Sequence, residues 1–432
     1  MNLPPEFAHR ERLANELHAR PFESVTTPGA VLSVATLRSG SAEDAACLAH
    51  LALLQPGAAP EIATTATAAT HLSLRCGAVR VRWERHTEFY SFTFISNAGP
   101  TELAGCFDTQ WLDTLPAGWL AALPGPMIAA TQIALLPCPG EPPHVRSVAP
   151  LFGSEVLVGN RVADGAATVV TDLRSVQGVT RFLVFDHTLN RRRAGRTAQR
   201  LIELDTYRMM ALLSLPVASK RMSELAAEEE QLASLMDRFR AASDGDETLL
   251  AELTDLAARV EHAMANHGSR FSATQAYRGI VDRRLAELRE QPAPGLQPLS
   301  EFLDRRFRPA MESCAAASAR QAQLSERIAR AAQLLQTRAE VERERQNQAL
   351  LASMDRRAGF QLRLQQTVEG LSVIAMTYYG VGLGAYLFKP LAKAAGINEG
   401  LVTMIAVPVI GLVVLLNVRR VRRKLVREHT SG

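Results

Sequence analysis

The chain has 432 residues, of which 47% are hydrophobic and 21% charged, and its formal net charge is only +4. This composition is ordinary for a folded protein of two or three domains with a small membrane portion, and it excludes a transporter with many spans. The small net charge gives no general argument for a nucleic-acid partner, and five cysteines that never pair as CxxC argue against a disulfide framework or a zinc knuckle.

Residues 1–192 are predicted to form a mixed α/β domain, because short β-rich runs alternate with alanine-rich stretches and with Pro and Gly. Ser41, followed by Glu43 and Asp44, predicts the capped start of a helix. No glycine-rich phosphate-binding motif opens a helix here, so nucleotide binding by such a loop is not expected. Seven strands are predicted, and the second and third form an antiparallel hairpin, which indicates a mixed sheet: 31–37, 72–83, 89–95, 133–136, 155–158, 168–173 and 180–185.

Residues 193–365 change to a composition of Ala, Glu, Leu, Gln and Arg, which predicts a helical, coiled-coil-like stalk. Three shorter helices are expected first, with a bend at Pro216, a stop at 266–268 and a new start at Ser272. After 292–295 the chain reads as helical for about 90 residues, up to Pro390. Its early part has a heptad-like apolar seam, whereas 337–348 is polar nearly all round, so either a solvated continuous helix or a break is expected there.

Two stretches near the end, 371–388 and 401–418, each contain 18 residues without a charge. At about 1.5 Å per residue, each spans roughly 27 Å as a helix, which matches the hydrocarbon core of a bilayer. The sequence therefore predicts a C-terminal two-helix transmembrane hairpin. Its parts are a first membrane helix at 366–388, a periplasmic loop at 389–400, a second membrane helix at 401–418 and a basic cytoplasmic tail at 419–432.

Lys and Arg are more frequent before the first stretch and after the second than between them, so the positive-inside rule places both termini in the cytoplasm. The first residues show no apolar run of an export signal. A multi-pass protein of the bacterial inner membrane is the predicted location. The basic residues of the tail are expected to contact anionic lipid headgroups: Arg419, Arg420, Arg422, Arg423 and Lys424.

Four blocks of the sequence carry a resemblance to a known family: NELHARPF at 15–22, RWERHTEF at 82–89, LDTYRMMALLSLP at 204–216 and RLQQTVEGLSV at 363–373. They resemble the bacterial family of uncharacterised membrane-anchored proteins called domain-of-unknown-function family 3422. The resemblance spans the whole chain. It implies a membrane location and, since the family has no assigned activity, no particular chemistry.

The predicted architecture is also similar to that of CorA-type divalent-cation transporters, in which a YGMN sequence closes the first span. Tyr379 and Gly380 stand at a similar offset here, but Val381 and Gly382 replace the Met and Asn. The resemblance implies an oligomeric ion pathway for a divalent cation such as Mg²⁺. The missing Asn puts the selection of a hydrated cation in doubt.

Candidate metal ligands lie on the strand predicted around 82–90. Glu84, His86 and Glu88 share one face of an extended strand, and a His between two carboxylates is able to bind a divalent metal. A solvated strand with cross-strand ion pairs gives the same pattern. No nucleophile motif such as GxSxG appears, so an enzyme is not expected, and no cofactor is implied beyond the alternative cation.

Glycines give the first apolar stretch a face that another helix is able to approach closely. Gly380 and Gly384 form a GxxxG pattern with Gly382 between them, and the partner is either the second stretch or a neighbouring chain. Tyr379 is expected either to line a pore or to contact lipid or another helix. Glu369 is expected to face protein or water.

Two functions from different classes follow from these predictions. The first is a membrane-anchored oligomeric scaffold or sensor whose cytoplasmic α/β domain binds a ligand or a protein partner. The alternative is a CorA-like oligomeric divalent-cation transporter or channel. Both predict a homo-oligomer in a lipid bilayer, and neither involves nucleic acid.

Overall fold

The computed structural model describes residues 6–7, 10, 22–55, 70–242, 245–394 and 399–429. Nine strands in this part of the chain form one sheet: β1 Gly29–Leu37, β2 His71–Cys76, β3 Val79–Arg85, β4 Phe89–Ser96, β5 Met127–Pro137, β6 Val158–Val162, β7 Ala167–Thr171, β8 Ser175–Val176 and β9 Val179–Asp186. Their order is β2-β3-β4-β1-β5-β9-β7-β6, with β8 paired to β9. The β5–β9 pair is parallel and its neighbours are antiparallel, which confirms the predicted mixed sheet.

The α-helices in the described part of the chain are α1 Ser41–Ala52, α2 Val145–Phe152, α3 Arg191–Leu212, α4 Ser214–Ala241, α5 Asp246–Leu288, α6 Leu299–Ala394 and α7 Glu399–His429. Short 3₁₀ helices occupy Gln110–Leu112 and Leu120–Ala122. The internal contacts divide the chain into two units, Met1–Ala332 and Gln333–Gly432.

Strand alternation gives the sheet two different faces. On β4 the residues Tyr90, Phe92 and Phe94 are fully buried, and they share a core with Trp83 of β3 and Leu51 of α1. Side chains at the intervening positions of a strand point to the opposite face. That opposite face of the sheet carries α3.

The core under α3 is assembled from distant parts of the chain. Ile133 of β5 and Val184 of β9 are fully buried there beside Leu201 of α3. Val281 of α5 and Leu303 of α6 belong to the same buried cluster. The sheet of the first unit is therefore covered by residues that follow it by about a hundred positions.

The hairpins differ from the prediction at their turns. The predicted strand 72–83 is two strands, β2 and β3, which pair from Cys76 and Val79 outward around Gly77. Gly77 has a φ of 57°, a left-handed conformation that glycine adopts without strain. β3 ends at Arg85, and 86–88 form the turn into β4, so the predicted alternation of faces does not continue through this segment.

The helices are longer and less interrupted than predicted. α3 ends at Leu212, before Pro216, which lies in the first turn of α4. α5 continues through Gly268, where a stop was predicted. α6 is continuous from Leu299 to Ala394, so the break considered at 337–348 does not occur. Most residues of its predicted seam are buried: Leu303, Phe307, Cys314, Ala317, Leu324, Ile328, Ala331 and Leu335.

The start of α1 differs from the predicted Ser41 cap. The N-cap is Gly40, without a side-chain hydrogen bond. Asp44 instead accepts hydrogen bonds from Arg38 Nε and Nη2, at 2.8 and 2.9 Å, and from the Tyr90 hydroxyl at 2.5 Å. The Arg38 hydrogen bonds are the main cause that lowers the pKa of Asp44 from 3.8 to about 2, and Tyr90 contributes in the same direction.

We expect Asp44→Asn to lower the free energy of unfolding at pH 7 by about 2 kcal/mol. A carboxyl group whose pKa is lowered by folding stabilises the fold fully above its unfolded pKa of 3.8, and this stabilisation is lost as the pH falls towards 2. Urea unfolding at pH 7, 4, 3 and 2 should therefore show a stability difference that shrinks with acid. The exposed Asp304→Asn serves as a control. If the stability difference between the parent and Asp44→Asn is the same at pH 2 as at pH 7, the ionised Asp44 carboxylate is not its cause.

The predicted transmembrane hairpin requires a correction. Both apolar stretches are helical, 371–388 within α6 and 401–418 within α7. Among the residues that the structure describes, however, no helix is long and apolar enough to cross a membrane. By this finding the transmembrane part of the predicted fold class is wrong, and so are the membrane anchor and the multi-pass inner-membrane location.

The physical reason lies in the difference between lacking charge and being apolar over a sufficient length. The stretch 371–388 holds three tyrosines and three glycines, which are less apolar than leucine or valine. In the second stretch Thr403, Pro408, Gly411 and Asn417 interrupt the apolar residues. Of the predicted loop 389–400, residues 389–394 belong to α6, and 395–398 lie outside the described residues.

Candidate functional site

A cleft opens in the first unit between the sheet and α3, and we call it the polar cleft. It encloses about 50 Å³, and about 580 Å³ when its open mouth is included. The enclosed part is large enough for a few water molecules or for part of a small ligand. Its walls come from the segment before β1, from β1, β3 and β4, and from α3: Glu23, Val25, Val31, Arg82, Glu84, His86, Phe89, Ser91, Thr93, Ile95, Gly195, Ala198, Gln199, Ile202, Glu203, Thr206 and Tyr207.

Hydroxyl groups form the sheet side of the cleft. Ser91 and Thr93 alternate with the large core residues of β4, so their side chains point towards α3. Ser33 of the neighbouring strand β1 is buried, and its Oγ lies 3.2 Å from Thr93 Oγ1 and 3.5 Å from Ser91 Oγ. Apolar residues would fill such a layer more favourably, because a buried hydroxyl needs a hydrogen-bond partner.

An ion pair lies on β3 at the same face. Arg82 and Glu84 are two residues apart, so a strand directs both side chains to one side. Arg82 Nη2 donates to Glu84 Oε1 at 2.8 Å, and the two side chains are only 8% and 13% exposed. The pair presents a donor and an acceptor of hydrogen bonds in a place that is shielded from solvent.

The helix side of the cleft is also polar. Gln199 and Glu203 are one turn apart on α3, and Gln199 Nε2 donates to Glu203 Oε1 at 2.7 Å. Arg284 of α5 donates to Glu203 and, at 2.9 Å, to Glu287. Glu203 is therefore held in place by a residue of the neighbouring helix, and it presents a fixed carboxylate to the cleft.

Aromatic side chains form the rim. The His86 ring stacks on Phe89 with centroids 4.1 Å apart, and Tyr207 meets Phe89 edge to face at 5.8 Å. Tyr277 of α5 stacks on Tyr207, and its hydroxyl donates to Glu88 at 2.5 Å. Burial and the hydrogen bond to Glu88 raise the pKa of Tyr277. The rim thus supplies flat apolar surface beside the polar floor.

The three predicted metal ligands have other partners in this arrangement. Glu84 pairs with Arg82, whereas Glu88 accepts two hydrogen bonds from Arg270, at 2.9 and 3.0 Å. His86 lies in the turn and stacks on Phe89. No group of three or more His, Cys, Asp or Glu side chains in the described ranges is placed to hold a metal ion.

The predicted packing residues lie in the second unit. A Cβ added to Gly380 would lie 2.9 Å from Ile410 of α7, and one added to Gly384 would lie 3.5 Å from it. Gly382 has no atom within 4 Å of such a Cβ. The structure thus brings α6 and α7 of the same chain together at two of the three glycines.

The other candidate residues of the second unit are not gathered into one site. Tyr379 is 69% exposed, and Glu369 is half-buried. Arg419 and Arg420 of α7 are exposed. The side chains of Arg422, Arg423 and Lys424 lie outside the described part of the chain.

Sequence reasoning missed most of the cleft. Ser91 and Thr93 could have been found, because small polar residues alternate with large apolar ones along β4. Gln199, Glu203 and Tyr207 had no such signal, since only the packing of α3 on the sheet brings them to β4. The cleft unites parts of two blocks that carry the family resemblance, 82–89 and 204–216. The block 15–22, apart from Phe22, lies outside the described residues.

Comparison with known proteins gave one match. A family model described as "Protein of unknown function (DUF3422)" matches residues 5–425. No curated protein and no solved structure matches the chain. The predicted similarity to CorA-type transporters is not shown. Both predicted functions, the membrane-anchored scaffold or sensor and the CorA-like transporter, require the transmembrane hairpin. Because no described helix is long and apolar enough to cross a membrane, both predictions are wrong.

Proposed function

The chain belongs to the DUF3422 family, and for this member we propose that the first unit binds a small polar ligand in the polar cleft. The observation that carries the proposal is the layer of hydrogen-bonding groups between the sheet and α3. Ser91 and Thr93 face Gln199 and Glu203 across a cleft where apolar packing would stabilise the fold more. Binding sites commonly combine an apolar lining with a few convergent polar groups.

The lining indicates the chemical class of the ligand. Three glutamates and one arginine line the cleft, and each glutamate is paired with an arginine, so the cleft offers an anion no excess positive charge. Hydroxyl and amide groups on both walls suit a compound with several hydroxyl, amide or amine groups. The flat rim of His86, Phe89 and Tyr207 suits an apolar or planar portion of the same molecule.

Binding, rather than catalysis, is the activity that the side chains support. Glu84 and Glu203 are each held by an arginine, which fixes the orientation of the carboxylate. Such groups are fixed acceptors of hydrogen bonds.

The test compares two Thr→Val substitutions in the full chain. A panel of small amines, amides and polyols is first screened by ligand-observed NMR and thermal unfolding. We expect Thr93→Val to leave the stability of the free protein unchanged or slightly higher, and to weaken binding about tenfold, the equivalent of one lost hydrogen bond of about 1.4 kcal/mol.

Thr171→Val is the matched control. Thr171 is fully buried on β7, does not line the cleft, and donates to the Arg181 carbonyl at 2.6 Å. This variant should lose about 1 kcal/mol of stability and retain the ligand. The proposal fails if no compound of the panel binds the parent protein, or if Thr93→Val destabilises the protein as Thr171→Val does while binding persists.

A further inference from the structure

A second cavity in the first unit has four arginines among its eight lining residues, and we call it the arginine cavity. It lies beside the start of α3 and the end of α5 and has a volume of about 520 Å³. Arg193, Arg196 and Arg200 come from α3, and Arg289 directly follows α5. Ligand sites for small molecules typically measure about 300 to 1,000 Å³. The cavity is therefore large enough for a ligand of that kind.

The carboxylates near the cavity do not balance its positive charge. Asp164 is shared, because Arg289 lies 2.7 Å and Arg193 lies 3.7 Å from the same oxygen. Glu287 is likewise shared between Arg200, at 3.1 Å, and Arg284. Because Arg284 also pairs with Glu203, two carboxylates balance Arg200 and Arg284. Asp164 alone faces Arg193 and Arg289, so that group leaves one positive charge in excess.

Arg196 adds a further charge. Its side chain is exposed, its guanidinium lies 5.2 Å from the centre of the Phe22 ring, and none of the described carboxylates forms an ion pair with it. Stacking on an aromatic ring holds a guanidinium in place without neutralising it. The donors of Arg196 are thereby kept at the cavity wall.

The start of α3 strengthens the preference for an anion. A helix carries a partial positive charge at its N-terminal end, within the first turn. Arg193 lies in that turn, next to the Asn190 cap, whose Oδ1 accepts from the Arg193 N–H at 2.9 Å. Guanidinium groups bind phosphate through two parallel hydrogen bonds, and several of them together suit a group with more than one negative charge.

We propose that the arginine cavity binds a small phosphate-bearing ligand with at least two phosphoryl groups. This site is distinct from the polar cleft, where the lining arginine, Arg82, is paired with Glu84 and no positive charge is in excess. The four lining arginines account for the multiple charge, and the volume accounts for a ligand larger than a single phosphate.

Pyrophosphate is the first probe, and titration calorimetry on the full chain is the measurement. We expect pyrophosphate and ATP to bind, inorganic phosphate to bind at least tenfold more weakly than pyrophosphate, and adenosine not to bind. The affinity for pyrophosphate should fall as salt is raised, since ions screen exposed charges over about 10 Å at 0.1 M.

Arg196→Gln tests the assignment to this cavity. Arg196 makes no ion pair with the described carboxylates, so the variant should unfold at the parent temperature and bind pyrophosphate about tenfold more weakly. Arg330→Gln is the control, because Arg330 is an exposed arginine of α6 that does not line the cavity. It should bind as the parent does.

The proposal would be overturned by no heat of binding with millimolar pyrophosphate, by equal affinity of the Arg196→Gln variant and the parent, or by an equal loss of affinity in both variants. Vesicles of phosphatidylglycerol form the last arm of the experiment. Binding to such vesicles without binding to pyrophosphate would assign the arginines to a lipid surface and would equally overturn the proposal.

Discussion

Arg221→Ala is expected to lower the free energy of unfolding by about 3 to 5 kcal/mol. Arg221 of α4 is only 2% exposed, and its guanidinium donates to both oxygens of Glu228, at 2.7 and 3.0 Å. Its Nε donates to Gln321 of α6 at 2.9 Å. Alanine would leave a largely buried carboxylate and a buried amide without these donors, which is the costly way to break a buried ion pair.

Two further variants separate this effect from a general loss of packing. Arg308→Ala removes a pair with Asp304 whose side chains are 51% and 55% exposed, and it should change stability by less than about 1 kcal/mol. Arg221→Met combined with Glu228→Leu removes both charges and should recover much of the loss. Urea unfolding provides the measurement. If the double variant is no more stable than Arg221→Ala, the unpaired charge is not the cause.

Gly195→Ala is expected to destabilise the protein by about 3 kcal/mol, at the upper end of the usual cost of overpacking. Gly195 lies in α3, where the chain segment before β1 crosses the helix. A Cβ at this position would lie 1.8 Å from the Glu23 carbonyl oxygen and 3.3 Å from Ser24 Cα. Because both are backbone atoms, the segment has to move away from the helix.

Gly268→Ala is the matched control for Gly195→Ala. Gly268 lies within α5, and a Cβ there would meet no atom within 4 Å. Alanine is favoured over glycine in a helix by about 1 kcal/mol, so this variant should be slightly more stable than the parent. In urea unfolding, we expect Gly195→Ala to lower the free energy of unfolding and Gly268→Ala to raise it. A Gly195→Ala variant as stable as the parent would contradict the close approach of α3 to Glu23.

Local patterns in the sequence predicted the sheet well. Val31, Phe92 and Phe182 lie in β-rich runs bounded by turn residues, and all three are buried in strands. Leu303 and Phe307 begin a seam whose spacing alone predicted the buried side of α6. These features depend on neighbours within a few residues, so a single sequence contains the information.

Features that depend on tertiary contacts could not be predicted. Ser91 and Glu203 meet at the polar cleft although more than a hundred positions separate them, and nothing in the sequence pairs them. Gly268 resembled a helix stop, but the packing of α5 on α3 outweighs the weak local preference of one glycine. The two apolar stretches were predicted to cross a membrane because they lack charged residues. The ability to cross depends on the hydropathy of every residue in a window, and no helix among the described residues is apolar enough over a sufficient length.

The late completion of the core under α3 has a consequence for synthesis on the ribosome. The last main strand of the sheet ends at Asp186, whereas Phe307 and Met311, which belong to the same buried cluster, are made some 120 residues later. At about 5 to 20 residues per second, this interval lasts roughly 6 to 25 seconds. During that time part of the apolar sheet surface lacks its final cover, so the nascent chain needs protection from aggregation until α6 has emerged.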